Sequence, residues 1–539
     1  MTKSNGEKAL RRMLRFYIEI ERKLSHGSNL ERCEVTVRIM KIKNTTLLLL
    51  AGLLTAGSFV ACGGSPSGDD KKTPENTSTT TAVDAATEEP DPFADFDYGG
   101  AEVRILVSAN DYDGHGSSLF TIKNEEEETG DVVKDAVYKR NKDVEELLNV
   151  KFTFTENEDN YEAIPKTLQS VVLGGDDAYE LIIHDLFPLA TLSMSAYFLN
   201  ACDNQYFDFS QDYWYEDYMS DLAFQQEDVH YLLAGDYFLD ILRTAHALFY
   251  NKDMFNTMYE SADELYTHVQ NGTWTHDVFL SYITDAYQDI NGDGKADEND
   301  QYGFATVGYW GPSIPWVIGS DLTFLTYEAD GAPKLALGNE RSVKTLENLN
   351  KIFHNTASYS YADVEALNNA FKSGNALFSA YQRVRSLETF RDMKNDIGIL
   401  PYPKLDEAQE YYITSSHDTA NVGAIPMTCS KFEMMGAVLE VLSRETAKTV
   451  MPAYYETALK VKYSRDDASA QMLDIIRYNI SCVFPVAYGN YCANLPLYNA
   501  FTIPLTNKNT NFMSNYEKKE KGAQKKLDEL WNAFKEQQQ

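Results

Sequence analysis

Between Ala101 and Asp185 the hydrophobic pattern switches repeatedly between strand and helix periods, and this alternation constrains the fold more than any other feature. "AEVRILVSA" (101–109) reads as a strand. "DAVYKRNKDVEELLN" (135–149) spaces its apolar residues as a helix does, and "VKFTFTE" (150–156) returns to alternation. A helix over about 161–173 and the apolar run "YELIIHD" (179–185) complete a β-α-β-α-β order. Strands separated by helices pair in parallel and carry the helices on the sheet faces, so the predicted class is α/β. A second α/β run comes later in the chain. It has helices over 275–288 (with Thr275 as N-cap), 343–355 and 431–444, a strand over 396–403, and a charged helix over 516–537. A chain of 539 residues is expected to form more than one domain.

Upstream of this body, residues 40–64 read "MKIKNTTLLLLAGLLTAGSFVACGG". Lys41 and Lys43 precede an apolar run from Leu47 to Val60. The run is shorter than the roughly 20 residues a membrane span needs, and it fits a signal-peptide core. "FVAC" resembles the lipobox of bacterial lipoproteins, with Phe59 in place of the usual aliphatic residue. That resemblance implies lipidation of Cys62 and a signal peptide over 40–61. Translation is expected to start at Met40, which makes 1–39 a non-native upstream extension; the alternative is a long cytoplasmic n-region. Residues 62–96 are rich in Ser, Thr, Pro, Asp and Glu and read as a flexible tether. The expected location is the extracellular face of the cell membrane, through the lipid anchor.

The formal charge of −33 repels phosphate backbones, which excludes nucleic acid as a partner class. Outside the leader the cysteines are Cys202, Cys429, Cys482 and Cys492, without a C-x-x-C pair, so zinc ribbons and redox motifs are out. Cys482 and Cys492 either pair in an oxidising exterior or stay as buried thiols. The chain has no H-E-x-x-H, G-x-S-x-G, Walker A or G-x-G-x-x-G motif. A retaining glycosidase needs two carboxylates about 5 Å apart. With 81 acidic residues no pair stands out, so a surface lipoprotein glycosidase stays open as an alternative.

Several segments, taken in order, carry a family resemblance. They are "ALFYNKDMF" (247–255), "NGTWTHDVFLSYITDA" (271–286), "AFKSGNALFS" (370–379), "DIGILPYPK" (396–404) and "VGAIPMTCSKFEMMGAVLEVLS" (422–443). Over roughly 100–450 this set resembles the extracellular solute-binding lipoproteins of ABC importers, family 1, the maltose-binding-protein-like group. The resemblance implies a two-lobed periplasmic-binding-protein fold of the class II type, with a hinge and an interlobe ligand cleft. Lobe 1 would be 97–245 with 418–465, and lobe 2 would be 246–417 with 466–539. It further implies a monomeric, non-enzymatic protein that closes on a carbohydrate, expected to be an oligosaccharide, and delivers it to the transmembrane permease subunits. A non-sugar solute such as a peptide, or a surface adhesion role, is the alternative.

Sugar sites need flat aromatic faces and planar polar groups in a preformed concavity. "VGYWGPSIPW" (307–316) offers Tyr309, Trp310 and Trp316, with core packing as the plain alternative. The resemblance adds Tyr381 and Arg383 behind "AFKSGNALFS", and Arg243 and Thr244 at the first crossing between lobes. Asp185, next to His184, ends a strand, where ligands of open α/β sheets sit; helix capping is its alternative. An ion pair is the alternative for Arg243. Trp214 in "QDYWYEDY" and His417, beside Asp418 at the return crossing, complete the candidate set.

"DINGDGKADEND" (289–300) fits the first half of the calcium-loop template D-x-[DN]-x-[DN]-G. Asp289, Asn291 and Asp293 take positions one, three and five, and Gly294 makes the turn. Lys295 would offer its carbonyl, Asp297 would bind directly or through water, and Asp300 takes position twelve with a shorter arm than Glu. A helix precedes the loop, but the segment after it reads as extended, so the second helix of a calcium sensor is missing. The expectation is a structural Ca2+ clip, against an Asp/Asn/Gly-rich surface turn.

Overall fold

In the computed structural model, the described residues are 91–108, 131–157, 162–226, 228–308, 311–460 and 467–538. The upstream stretch 1–39, the signal segment 40–61, Cys62, the tether up to residue 90, and Tyr309 and Trp310 lie outside them. The first sheet is built from β1 (Ala101–Ser108), α1 (Val132–Leu148), β2 (Val150–Asn157), α2 (Ala163–Gly174) and β3 (Leu181–Asp185). β1 pairs in parallel with β2, from Ala101 opposite Val150, and with β3, from Ile105 opposite Leu181. The Asp131 carboxylate accepts from the N–H groups of Val133 and Lys134 and starts α1, while Asn149, at φ 49°, ends it. β3 is buried along its whole length, as a strand with neighbours on both edges and cover on both faces must be.

After β3 the chain passes through α3 (Leu186–Leu192) and α4 (Asp240–Arg243) into β4 (His246–Asn251), where a second sheet begins. Its further elements include α5 (His276–Thr284), β5 (Tyr302–Val307), α6 (Ile314–Gly319), the hairpin β6 (Leu325–Tyr327) and β7 (Pro333–Leu335), α7 (Glu340–Phe353), β8 (Ser358–Tyr361), α8 (Val364–Lys372), β9 (Ala376–Arg383) and β10 (Ile397–Leu400). The five-stranded order is β10-β4-β9-β5-β8. β5 runs parallel to β8 and β9, whereas β4 is antiparallel to both of its neighbours. The Thr275 side chain accepts from Val278 N–H and caps α5, as its position before the apolar run predicts. The chain then returns: β11 (Asn421–Ala424) joins the first sheet antiparallel to β3, giving the order β11-β3-β1-β2.

The chain continues through α9 (Phe432–Glu445), α10 (Met451–Lys460), α11 (Asp467–Tyr478) and a long closing helix, α12 (Phe512–Glu536). α12 serves both halves. Gln524 accepts from Leu335 N–H at 2.9 Å and donates to Pro333 O at 3.1 Å, which satisfies the edge of β7. Further along, Phe534 packs edge-on against Phe224 and Tyr231, and Gln537 accepts from Ala196 N–H at 3.1 Å. Cys202, Cys429, Cys482 and Cys492 are free thiols, so Cys482 and Cys492 do not pair. Among the described residues no helix is long and apolar enough to cross a membrane.

Candidate functional site

Two crossing segments join the sheets side by side. Ala245 bridges Ser416 in antiparallel fashion, His246 N–H donates to Ser415 O at 2.8 Å, and His417 N–H donates to Thr244 O at 3.1 Å. The stretch after β9 flanks them, with Val384 N–H on Ala245 O and Arg385 N–H on Arg243 O. Backbone pairing of this kind holds the connectors in register at the place where two sheets can pivot.

A cluster of rings sits on these connectors. His246 Nδ1 meets Ser415 Oγ at 2.9 Å, and His417 Nε2 meets the Tyr381 hydroxyl at 3.1 Å. Tyr381 adopts φ 62°, a left-handed conformation that costs a non-glycine residue energy, and its N–H donates to the Tyr402 hydroxyl at 2.8 Å. A side chain on Gly311 would collide with the Tyr381 hydroxyl, so the loop that enters α6 rests on this ring because residue 311 is glycine.

Beside the connectors lies a cavity of about 360 Å3. Phe187, two residues beyond the end of β3, and Asp418 of the return crossing form one side, and Ile314 at the start of α6 forms another. The segment 485–502 contributes the remaining lining, including Pro485, Val486, Asn490, Asn494, Leu497, Tyr498 and Thr502. Asn490, Asn494 and Tyr498 are exposed, so their polar groups and the Tyr498 ring are accessible. Asn494 holds φ 55°, and Asn499 N–H donates to its carbonyl at 2.8 Å, which turns the segment back over the cavity. The location beyond the carboxyl end of β3 is where open α/β sheets place ligands. The size falls within the range of small-molecule sites, about 300–1,000 Å3.

Three carboxylates gather behind the Phe187 side. Asp240 accepts from Asn421 N–H at 2.7 Å and from its amide at 3.0 Å, and Asn421 lies opposite Asp185 in the β11–β3 pair. Burial, reinforced by the charges of Asp240 and Asp418, pushes the Asp185 carboxyl up to about 8. Burial also opposes ionisation of Asp418. There the hydrogen bond and charge of His417, at 2.8 Å, and the charge of Arg383 outweigh it and hold the carboxyl below its ordinary value.

The sequence candidates are distributed unevenly around this site. Asp185, Tyr381, Arg383 and His417 stand on or next to the connectors, all largely buried. Arg243 is held by Glu388 through two hydrogen bonds of 3.2 and 3.1 Å, so its fork is occupied by a protein carboxylate. The Thr244 hydroxyl donates to Asp240 O at 2.7 Å, capping α4 rather than facing the cavity. Trp316 departs most from expectation. It has 0% exposure and is ringed by His276, Phe279, Phe304, Phe353 and Tyr402, so it is a core residue of the second half. Trp214 is also core: its indole N–H donates to Glu440 at 2.9 Å. Phe187, Asn490, Asn494 and Tyr498 escape the sequence reading. The available signal was "GNYCANLPLYNAFT" (489–502), dense in Asn and Tyr, in the part of the chain where the family resemblance is weakest.

The loop 289–300 is closed at its base by reciprocal hydrogen bonds of 3.0 Å between Gln288 and Gln301. Asp289 accepts from Gly292 and Gly294 N–H at 2.7 and 2.9 Å, Asn291 from Asp293 N–H, and Asp293 from Lys295 N–H. Asp300 is fully buried and accepts from Tyr287 OH and from Ile290 and Asp297 N–H; Asp297 itself accepts from Asn299. Among the described residues no three His, Cys, Asp or Glu side chains converge in a metal-ligating cluster. The side chains thus cap the loop's own backbone; the engaged oxygens of Asp289, Asn291 and Asp293 each accept one of these hydrogen bonds and keep a second lone pair.

No family model and no curated protein match the chain. Among solved structures it is similar to the galacto-N-biose/lacto-N-biose I-binding protein of the ABC transporter from Bifidobacterium longum, in complex with lacto-N-biose. The identity is 12%, the match covers 81% of this chain and 98% of that one, and the TM-score is 0.51. It is also similar to a maltose/maltodextrin-binding domain from Bdellovibrio bacteriovorus bound to maltotriose (15% identity, 80% and 100% covered, TM-score 0.48). A third is an ABC substrate-binding protein from Listeria monocytogenes in complex with cycloalternan (12%, 79% and 99%, 0.47). The first of these likenesses, with the two sheets and their paired connectors, establishes the two-lobed periplasmic-binding-protein fold.

Proposed function

We propose that this protein is a non-enzymatic substrate-binding protein of an ABC importer that captures a carbohydrate by closing its two lobes. The observation that carries the reading is the cavity beside the paired connectors, lined by Phe187, Tyr498 and the amides of Asn490 and Asn494, with Ile314 from the second half and Asp418 from the return crossing. Aromatic faces suit the C–H faces of sugar rings, and amides suit vicinal hydroxyls. The relative from Bifidobacterium longum, in complex with lacto-N-biose, supports the same ligand class. Closure would swing the first sheet against the second with the connectors as hinge; the segment 466–539, expected in lobe 2, also packs on the first half through Arg477, Tyr488 and Phe534. The loaded protein would then dock as a monomer on the permease subunits.

In this reading Cys62 carries a lipid, the stretch up to residue 90 tethers the body, and the protein works on the extracellular face of the membrane. The last part of the expected tether, 91–96, belongs to the body instead, because Phe93 is buried in the core and Asp91 is paired with Arg444. Calorimetric titration with neutral mono- and oligosaccharides tests the core of the proposal. Saturable binding by one class is the expected result; tight binding of a peptide with none of any sugar would overturn it. For the loop 289–300 we propose a structural calcium ion, supported by the D-x-N-x-D-G pattern and by the lone pairs left on Asp289, Asn291 and Asp293. Native mass spectrometry with and without chelator should show one calcium per chain.

A further inference from the structure

We propose that the cavity selects its ligand by charge: it takes a protonated amine against Asp418 and turns away carboxylated or phosphorylated ligands of the same size. This rests on the cavity being the ligand site. Asp418 is the charged side chain among the described lining residues; the polar remainder is Asn490, Asn494, Tyr498 and Thr502, all neutral. One Asp418 oxygen is engaged by His417 at 2.8 Å, and the side chain is about a quarter exposed, at 26%, which leaves the carboxylate accessible from the cavity. Behind it stand Asp185 and Asp240. The nearby cations, Arg383 and His417, approach from the connectors and line no part of the cavity. An anion entering here would meet Asp418 across neutral walls, in a body that is already strongly acidic. An ammonium would gain a charge-assisted hydrogen bond to a carboxylate that the fold keeps ionised.

An amine of this kind comes from an amino sugar or from a linear polyamine. The neutral amides and the rings of Phe187 and Tyr498 match a sugar better, so the amino sugar is the expected source. The test is competition calorimetry on the whole protein with matched probes: a neutral oligosaccharide, its amino-sugar and uronic-acid counterparts, and a linear diamine of similar span. The amino sugar should bind about ten- to a hundredfold more tightly than the neutral sugar, the uronic acid should not compete, and in Asp418→Asn the ratio of amino-sugar to neutral-sugar affinity should fall to about one. Equal binding of all three sugars, unchanged by Asp418→Asn, overturns charge selection but leaves the carbohydrate site standing. Binding of the diamine alone overturns the sugar as source of the amine. No binding of any probe overturns both the charge selection and the site.

Discussion

Two aromatic-rich stretches, 307–316 and 483–501, look alike in composition, and the second buries Phe484, Tyr488 and Phe501 much as the first buries Trp316, but one of its rings, Tyr498, is exposed. The first sends Trp316 into the core of the second half, where five rings surround it. The second leaves Tyr498 and two asparagines on the wall of a cavity. The difference lies in the backbone around each aromatic. Ile314–Gly319 is a short helix buried at every position, so its Trp has nowhere to go but inward. The later stretch contains Gly489 and the left-handed Asn494, and the turns they make hold one polar edge open. Aromatic density alone therefore says little about ligand contact; local backbone decides which face remains accessible.

The comparison can be broken most directly at Trp316. Trp316→Ala should cost about 3–5 kcal/mol in urea unfolding. Trp316→Phe should cost much less, because the buried indole N–H has no acceptor. In both variants the folded fraction should keep its ligand affinity. Next in size, Asn490→Ala and Tyr498→Ala should weaken sugar binding about tenfold while shifting stability by less than about 0.5 kcal/mol. A loss of stability without a loss of affinity would mean the segment is merely structural.

The acidic side of the cavity supplies a third test. Asp185 holds its proton in the fold up to about pH 8, whereas in the unfolded chain it ionises near about 4. Its protonated form stabilises the fold fully at low pH, and that contribution is lost as the pH rises through about 8. The difference in unfolding free energy between the wild type and Asp185→Asn should therefore widen from pH 5 to pH 8.5, with the variant the flatter. The smallest expected effect is at the exposed loop. Replacing Asp289 and Asp293 with Ala should abolish any chelator-sensitive change in melting temperature; a melting curve indifferent to chelator in the wild type would leave the loop a turn closed by its own side chains.

Much of the secondary structure was legible because period and caps are local. The β-α-β-α-β order of 101–185, the Thr275 cap and the charged terminal helix stand within a few residues of where the pattern puts them. The site was legible only in part. Asp185 could be placed at the end of a strand because that end can be read from its own residues, and it stands at the end of β3 without lining the cavity. For Arg243 the ion-pair alternative had no identifiable partner in the sequence, because Glu388 is 145 residues away. Phe187 carried no signal at all, since a Phe at the start of a short helix is ordinary until something opens in front of it.

What this sequence determined by itself is what the backbone decides over a few residues: the alternation of strands and helices, the turns that need glycine or asparagine, and an acidic net charge of −33 that repels phosphate backbones. Only the tertiary structure decided which aromatics face solvent, that α12 braces both halves, and that Asp418, Phe187 and the segment 485–502 enclose one cavity. The reason is physical. Hydrophobic periodicity follows from 3.6 or 2 residues per repeat and is written locally. Convergence depends on which distant surfaces exclude water from each other, and a linear pattern carries no record of that choice.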